Sequence, residues 1–426
     1  MASGKRIVLA TFGSLGDLHP ILAVALGLKE RGHRPVLVTQ IEHKAKVDAA
    51  GVEFAPLRPG LADLGERNEL LRRIMDQRTG SEFIIRQVVM PHVRLAYEDI
   101  AAAAHGADFL VSHVLTLGVP IVAEKLGVPW ASTALQPLAF FSAYDFPVLA
   151  QRPELAHWRW LGPRVFGGLI GLMKRMVRPW CAEVFRLRAD LGLSRGHPDP
   201  LVDGQWSPRL NLALFSKALA RPQPDWPRST VLTGFPFFDR GEQGEGMNES
   251  IRSFLDRGPP PVVFTLGSSG VYDAGSFYRE SAKGATRAGV RAVLVIGNDE
   301  RNRPDRSLPD DIFVTEYAPF SELFPRAAAI VHQGGVGTVA QTLRAGVPML
   351  VMPFSHDQPD NADRVRRLGA GRVIDRRTYT AARAADHLRR LLGDGHYRER
   401  AAAIGKFVRD EDGVGAACDA LESSLR

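Results

Sequence analysis

Residues 330–338 read Ile330-Val-His-Gln-Gly-Gly-Val-Gly-Thr338, a short apolar run that enters a glycine-rich turn. From Val339 to Leu343 the chain continues with helical spacing. A strand that passes through such a turn into a helix is the repeating unit of a parallel sheet covered by helices. Glycines leave backbone N–H groups open, and the start of a helix adds more of them with a partial positive charge. Alone, the stretch predicts either a phosphate cradle or a tight turn without a ligand.

The same alternation extends outward over both halves of the chain. Helical spacing recurs in Pro20–Arg31, Val119–Leu126 and, at the end of the chain, Tyr397–Leu425. This rhythm predicts an α/β fold with two Rossmann-like domains that face each other across a cleft. The predicted strands are Ile7–Phe12, Pro35–Thr39, Phe109–Val111, Pro129–Thr133, Pro261–Leu266, Ala292–Ile296, Ile312–Val314, Ala329–Val331 and Met349–Val351.

A stretch rich in proline and glycine separates the two halves. We therefore expect an N-terminal, acceptor-binding domain over residues 1–216 and a linker over residues 217–247. A C-terminal, nucleotide-sugar-binding domain is expected over residues 248–405. Residues 406–426 are expected to form a helix that returns to the N-terminal domain.

Composition excludes several classes of protein. The chain has 426 residues, two distant cysteines and a net charge of +7 from 54 basic and 47 acidic residues. Two cysteines without a CxxC or Cys/His cluster predict neither a disulfide framework nor a zinc site, and they favour the cytoplasm. The basic residues are dispersed and match no nucleic-acid-binding motif, so no nucleic-acid partner is expected. No run approaches the roughly 18 apolar residues of a membrane span.

Residues on both sides of the glycine-rich turn complete a longer pattern. Tyr317 stands fifteen positions before His332, and His356-Asp-Gln-Pro-Asp-Asn361 follows the turn. From about Tyr317 to Gly371, the pattern resembles that of the family-1 (UDP-glycosyltransferase-like) glycosyltransferases of the two-domain B fold, in their bacterial branch. Within the family, the sequence looks most like the rhamnosyltransferase catalytic chains of rhamnolipid synthesis. That likeness rests on Asp225-Trp-Pro227, Thr233-Gly-Phe-Pro-Phe-Phe-Asp239 and the run that begins at His356.

The resemblance implies a donor site for a nucleotide sugar. Tyr317 would lie against the nucleobase, and Asp357 and Gln358 would bind the sugar hydroxyls, which suits their hydrogen-bonding groups. Gln341 stands where plant members carry a ribose-binding Glu, a departure from the family pattern. The implied diphosphate contacts are His332, Gly335, Val336, Gly337 and Thr338. Ser268 and Ser269 follow the first strand of the C-terminal half, either as phosphate contacts or as an ordinary Gly/Ser turn.

The N-terminal half has its own glycine-rich turn, in Phe12-Gly-Ser-Leu-Gly-Asp-Leu-His-Pro20. An acceptor hydroxyl needs a base to accept its proton before it becomes a good nucleophile. Many family members carry a His three positions before the proline, and here that position is Asp17. Asp17 is the predicted base, and His19 is the second candidate. The alternative for Asp17 is an ordinary helix N-cap.

The acceptor site is predicted from His113 and from aromatic residues that include Phe140 and Phe141. The alternatives are a simple loop histidine and core packing. Small-molecule sites are mostly apolar, so these residues and five more aromatics would suit a lipophilic acceptor. The basic, amphipathic stretch Val165–Trp180 either covers the acceptor cleft or lies on an anionic membrane surface. The five further aromatics are Tyr144, Phe146, Trp158, Trp160 and Phe166.

Together these features predict an inverting hexosyltransferase. It would move a hexose from a UDP- or dTDP-sugar to a hydroxyl of a phenolic, polyketide, sterol or hydroxy-lipid acceptor. The implied single displacement requires neither a metal nor a cofactor. Two alternatives remain open: a nucleotide-sugar epimerase or hydrolase of the same fold, and a catalytically inactive nucleotide-sugar-binding partner protein.

Overall fold

The computed structural model describes residues 4–194, 198–239, 246–304 and 307–425. Two sheets, in which all strand pairs are parallel, form the two halves of the chain. This is the α/β architecture that the alternating pattern predicts. No helix among these residues is long and apolar enough to cross a membrane. Residues 240–245 of the predicted linker lie outside the described residues.

The first sheet has the strand order β3-β2-β1-β4-β5-β6-β7. In β1, Ile7 and Leu9 enter one buried cluster while Val8 and Ala10 enter another on the opposite face. A parallel strand covered on both faces must be apolar throughout, which explains the continuous run in the sequence. The strands are β1 Arg6–Ala10, β2 Arg34–Thr39, β3 Glu53–Pro56, β4 Phe109–Ser112, β5 Trp130–Ala134, β6 Leu210–Ala213 and β7 Thr230–Leu232.

Eight helices belong to this half as described. A 3₁₀ segment over Pro153–Leu161 and a π-helical segment over Ile84–Val89 are the longest of its other helical pieces. The α-helices are α1 Leu15–Glu30, α2 Lys44–Ala49, α3 Arg67–Ile74, α4 Gly80–Phe83, α5 Val93–Ala103, α6 Gly118–Leu126, α7 Pro163–Val177 and α8 Ala182–Asp190.

The second sheet has the strand order β10-β9-β8-β11-β12-β13, so β11 lies between β8 and β12. Loops that follow these three strands leave the sheet at the same edge, where open α/β sheets bind ligands. The strands are β8 Val262–Thr265, β9 Ala292–Val295, β10 Ile312–Thr315, β11 Ala329–His332, β12 Met349–Val351 and β13 Gly371–Val373. The helices are α9 Glu249–Asp256, α10 Gly267–Gly270, α11 Phe277–Ala288, α12 Phe320–Leu323, α13 Val336–Ala345, α14 Gln358–Arg367, α15 Ala381–Gly393, α16 Gly395–Arg409 and α17 Gly413–Ser424.

The end of the chain returns to the first half. The returning helix begins at Gly413 and not at residue 406, because Asp412 caps α17 by accepting from the Gly415 N–H. Residues up to Arg409 still belong to α16, which packs on α13. Helix α17 lies so close to α1 that a Cβ on Gly27 would meet Cys418 Sγ at 2.9 Å.

The chain crosses between the halves twice, once in the linker after β7 and again between α16 and α17. These two crossings lie side by side. A Cβ on Gly413 would meet the carbonyl of Phe235 at 2.5 Å, and a Cβ on Gly234 would meet Glu411 at 3.0 Å. Glu411 also accepts from the backbone N–H of Lys217. The two crossings therefore form one compact connection between the halves.

Candidate active site

The glycine-rich turn after β11 leads directly into α13. Gly334 has φ +91°, and a Cβ there would meet Val351 at 2.7 Å, so the position requires glycine. Gly335 precedes the helix without a side-chain cap, and the first turn of α13 has no acidic residue. The first N–H groups of a helix lack intrahelical partners and carry a partial positive charge. The N-terminus of α13, from Val336 to Thr338, can therefore receive an anion.

The sequence predicts a direct phosphate contact for His332, but the structure turns both ring nitrogens toward protein partners. Its side chain is fully buried at the end of β11. Nδ1 accepts from the Gly334 N–H at 3.0 Å, and Nε2 lies 3.2 Å from Met349 Sδ. Burial lowers the pKa of His332 to about 3, so the ring is neutral. Through its hydrogen bond with the Gly334 N–H, His332 stabilises the glycine-rich turn that follows β11.

Gln333 is the neighbouring residue that the sequence reasoning missed. Its amide reaches the loop after β8, where a Cβ on Gly267 would lie 2.4 Å from Gln333 Nε2 and 3.4 Å from Thr338 Oγ1. The buried Oε1 of Gln333 has no hydrogen-bond partner among the described residues. Ser268, exposed, and Ser269, half-buried, follow Gly267 in α10. The structure thus brings the β8 loop and the β11 loop together around Gln333.

Asp357 and Gln358 stand at the start of α14 and are tied to the same turn. Asn361 Nδ2 donates to the Gly334 carbonyl at 2.9 Å and to Asp357 Oδ2 at 2.7 Å. Gln358 Oε1 accepts from the Phe354 N–H at 2.9 Å, which leaves its NH₂ group for other contacts. Burial is the largest cause that raises the pKa of Asp357, and the negative charge of Asp17 acts in the same direction. The resulting pKa is about 7.

Asp17 in the first half is not the N-cap of α1, the alternative to a base, because that position is Ser14. Asp17 lies three positions later, at the third residue of the helix. Its Oδ2 accepts from the Ser14 N–H at 2.7 Å and from Ser14 Oγ at 3.0 Å, which completes a capping box on α1. Its Oδ1 lies 3.5 Å from His113 Nε2. The cap therefore fixes the carboxylate while the second oxygen faces a histidine.

His113 and His19 differ in their relation to Asp17. His113 is buried after β4, and burial lowers its pKa, although the charge of Asp17 opposes this. His19 lies two positions after Asp17, so it projects from another side of α1. Its ring packs against Phe238 at 5.1 Å between centroids, and burial lowers its pKa to about 3. The structure brings Asp17 together with His113 and does not bring it together with His19.

His356 is a second residue that sequence reasoning missed, and it joins the two halves. It has φ +56°, a left-handed conformation that is uncommon outside glycine. Its Nδ1 lies 2.9 Å from Ser81 Oγ of the first half. A Cβ on Gly80 would meet His356 Cε1 at 3.3 Å, so the ring fits a small cradle. Burial lowers the pKa of His356, and the nearby charge of Asp17 opposes this shift.

Residues 67–83, the α3–α4 segment, dock on the second half around this histidine. Met75 is buried in the main apolar cluster of the second half, and Arg67 lies 4.9 Å over the ring of Tyr272. Arg67 Nη2 also donates to Tyr272 Oη at 2.8 Å. These contacts hold the first half against the edge of the second sheet that carries Asp357.

Gln341 meets a carboxylate supplied by the linker. Its Nε2 lies 3.4 Å from Asp239 Oδ1, and its Oε1 accepts from Arg344. Arg344 also forms a bidentate ion pair with Asp239 and stacks on Phe237. Asp239 is the last residue of the linker motif Thr233–Asp239, on which the family resemblance partly rests. Its contact with Gln341 could not be predicted from the spacing of residues in the sequence.

The remaining predicted residues have mixed positions. Tyr317 follows β10 and is 49% exposed. Phe140 is buried, and its ring stacks on Trp226 at 4.2 Å and on Trp206 at 4.9 Å, so it is a core residue rather than the predicted acceptor contact. Phe141 is half-buried with φ +45°. Among the described residues, no group of three His, Cys, Asp or Glu side chains could hold a metal ion.

Comparisons with known proteins identify relatives of both halves of the chain. Residues 7–139 match the glycosyltransferase family 28 N-terminal domain, and residues 285–411 match the erythromycin biosynthesis protein CIII-like C-terminal domain. The chain is 32% identical to O-mycaminosyltylonolide 6-deoxyallosyltransferase of Streptomyces fradiae, over 98% of this chain and 97% of that protein. It is 26% identical to a sterol 3-beta-glucosyltransferase of Yarrowia lipolytica, over 99% of this chain but only 29% of that protein.

Solved structures share the fold. The glycosyltransferase of kitacinnamycin is 24% identical, with a TM-score of 0.70 over 99% of this chain and 100% of that one. The glycosyltransferase VinC, solved in complex with dTDP, is 18% identical, with a TM-score of 0.68 over 98% of this chain and 99% of that one. Both similarities extend over the two halves and the connection between them.

Proposed function

Since this chain belongs to the family-1 glycosyltransferases of the two-domain B fold, we propose how its own residues carry out an inverting transfer. The donor is a UDP- or dTDP-hexose, and the acceptor is a lipophilic molecule with a free hydroxyl. The Streptomyces relative is named for a 6-deoxyhexose and a macrolide, and the Yarrowia relative for glucose and a sterol. These names support an apolar acceptor and define the donors to test first.

One observation carries the proposal: groups from both halves meet at one place. The charge of Asp17 in the first half contributes to the raised pKa of Asp357 in the second. It also opposes the lowered pKa of His356, which touches Ser81. A donor held at α13 and an acceptor held by the first half would therefore meet beside Asp17.

In the proposed reaction, Asp17 Oδ1 accepts the proton of the acceptor hydroxyl, while Oδ2 stays in the cap of α1. The acceptor oxygen bonds to the anomeric carbon as the bond from that carbon to the diphosphate oxygen breaks. The leaving diphosphate gains negative charge, which the uncapped N–H groups of α13 stabilise. In the proposal, the amide of Gln333 donates to the same group, which its proximity to Thr338 around Gly267 supports. The scheme uses fixed dipoles in place of a metal ion.

The sugar would lie between α13 and the start of α14. Asp357 accepts hydroxyl protons when ionised, and the NH₂ group of Gln358 donates because its oxygen is held by Phe354. Tyr317 supports the nucleobase, and Gln341 with Asp239 offers polar groups for the ribose. Peripheral contact with a membrane from the cytoplasmic side completes the proposal, because a lipophilic acceptor concentrates there.

The experiment is an assay of nucleoside diphosphate release in buffer containing EDTA. The donors are a panel of dTDP-6-deoxyhexoses and UDP-glucose, each tested with and without sterol, macrolide and phenolic acceptors. We expect acceptor-dependent release and a glycosylated product that survives chelation. Donor consumption without any acceptor would instead indicate an epimerase or hydrolase. Donor binding by calorimetry without turnover of any acceptor would indicate the catalytically inactive nucleotide-sugar-binding protein.

A further inference from the structure

Exposed large apolar side chains are concentrated in one stretch of the sequence of the first half. Twelve such side chains occur in the described chain, and seven of them lie between residues 144 and 176. Trp160 is the most exposed of the twelve, at 79%. Monomeric proteins seldom leave a large apolar patch open, so a clustered patch marks an interaction surface. The seven, which we call the apolar face, are Tyr144, Trp158, Trp160, Leu161, Val165, Leu172 and Met176.

Helix α7 supplies three members of the apolar face and has two apolar sides. Phe166 and Ile170 are buried, and Phe166 packs on Phe146 at 4.3 Å between ring centroids. Val165, Leu172 and Met176 share another side of the helix, about 120° away by the 3.6-residue period, and are at least half exposed. The buried side thus covers residues 141–155, and the second side remains open.

Positive charge lies along one edge of this open side. Residues 150–180 contain six basic residues and one acidic residue, Glu154. Arg164 and Arg175 are exposed and lie within about 80° of Leu172 around the helix axis. Exposed tryptophans beside an apolar stripe with flanking arginines match the interface of an anionic bilayer, where indole rings and cations both find partners.

We propose that the apolar face docks on an anionic lipid bilayer, with α7 parallel to the membrane plane. Val165, Leu172 and Met176 enter the acyl boundary, and Arg164 and Arg175 contact the headgroup phosphates. A second copy of the chain is disfavoured as the occupant, because a two-fold contact would bring the same arginines close together.

Docking would also fix the active site relative to the membrane, a consequence that rests on the proposed function. Arg159, between Trp158 and Trp160, pairs with Asp363 at 2.6 Å and donates to the Phe146 carbonyl at 2.6 Å. Asp363 lies on α14, the helix that begins beside Asp357. In the docked enzyme, α14 would lie at a fixed distance from the bilayer. A lipophilic acceptor would enter the active site from that bilayer.

Vesicle flotation tests the docking without donor or acceptor, so its outcome is independent of the proposed reaction. The probes are phosphatidylcholine vesicles with and without phosphatidylglycerol, at low and high salt. We expect flotation with the anionic vesicles that weakens at high salt. Absence of flotation, or equal flotation with neutral vesicles, would overturn the proposal.

Two pairs of variants locate the surface. The apolar pair is Trp160→Ser with Leu172→Ser, and the charge pair is Arg164→Glu with Arg175→Glu. Each pair is expected to weaken partitioning onto anionic vesicles by about tenfold or more. The matched controls are Phe407→Ser and Arg398→Glu, exposed residues of α16, which should bind as the unaltered protein does.

Circular dichroism and thermal melting confirm that the variants fold. The proposal is refuted if the α16 controls lose binding as strongly as the two pairs. It is also refuted if sedimentation shows a dimer that the apolar pair dissociates, since the apolar face would then be an interface between two copies.

Discussion

Two strand–turn–helix units, β1–α1 in the first sheet and β11–α13 in the second, share a backbone plan but begin their helices differently. In the first half, Ser14 and Asp17 cap α1 with a reciprocal pair of hydrogen bonds. In the second half, α13 has no side-chain cap and no acid in its first turn. Both turns are rich in glycine, so glycine alone does not distinguish them. The helix cap distinguishes the two units.

The difference in helix capping suggests how the same strand–turn–helix backbone can serve two different chemical roles. A capped helix with its own carboxylate has less positive potential left for a phosphate, but it holds one carboxylate oxygen in a fixed position. An uncapped helix keeps its N–H groups available for an anion. On this interpretation the first unit supplies the base, and the second unit receives the diphosphate.

The largest expected effect comes from Asp17→Asn. Turnover should fall by about 10²–10⁴-fold, because the amide cannot accept the proton. Asparagine can still accept from Ser14, so thermal stability should change little. The measurements are kcat, donor affinity by calorimetry, and melting temperature.

The control for that variant is Ser14→Ala, which weakens the cap and keeps the carboxylate. It should cost about 1 kcal/mol of stability and leave kcat within a few-fold. Full turnover by Asp17→Asn would remove Asp17 as the base. A collapse of stability without a kinetic change would leave only the capping role.

The next effect comes from placing an acid at the uncapped helix, with Gly337→Asp. A Cβ at Gly337 meets no atom within 4 Å, so the side chain can be accommodated. The carboxylate should stabilise the empty protein and weaken donor affinity by roughly 10–100-fold through repulsion of the diphosphate. Gly337→Asn is the control of equal size without the charge. If both variants bind the donor equally, electrostatic repulsion is not the cause.

A smaller effect concerns Asp357, at the start of α14. Its pKa is raised to about 7 from the ordinary 3.8, so its contribution to stability is lost progressively as pH rises from 3.8 to about 7. Asp357→Asn should therefore be close to neutral at pH 4 and stabilising by about 1–3 kcal/mol at pH 8. Calorimetric melting at the two pH values measures this. A difference that does not vary with pH would contradict the prediction.

The smallest effect concerns the contact between His356 and Ser81, which joins the two halves of the chain. His356→Asn tolerates the left-handed backbone, and Ser81→Ala removes its partner. Each should raise the donor KM a few-fold by loosening the α3–α4 segment. In a double-mutant cycle the coupling should be about 0.5–1.5 kcal/mol. Strictly additive effects would show that the contact does not couple the two halves.

The sequence predicted the elements whose pattern is set locally. Strands β1, β8 and β11 are continuous apolar runs because both faces of each sheet are covered, and the helices α1 and α13 follow a glycine-rich turn. The α3–α4 segment was not predicted, because its role depends on docking Met75 into the other half. The break between α16 and α17 was also missed, since the tail has helical spacing throughout.

For the site, the sequence predicted the segments better than the side chains. His332 and Gln333 are adjacent, and which of them faces the turn depends on the last residue of β11, since successive strand side chains point to opposite faces. The position of His356 depends on its left-handed backbone conformation, which its residue type does not predict. Asp239 reaches Gln341 from about a hundred positions away. These pairings follow from tertiary structure, which spacing does not encode.

The paired crossings between the halves have a consequence for recombination between relatives. Helix α17 is last in the chain but packs on α1, where Arg31 pairs with Glu422 at 2.8 Å. A hybrid made by a single exchange in the linker would join α17 of one parent to α1 of the other. Exchange of acceptor preference should therefore use two junctions, one in the linker and one near Asp410, so that the first half keeps its own final helix.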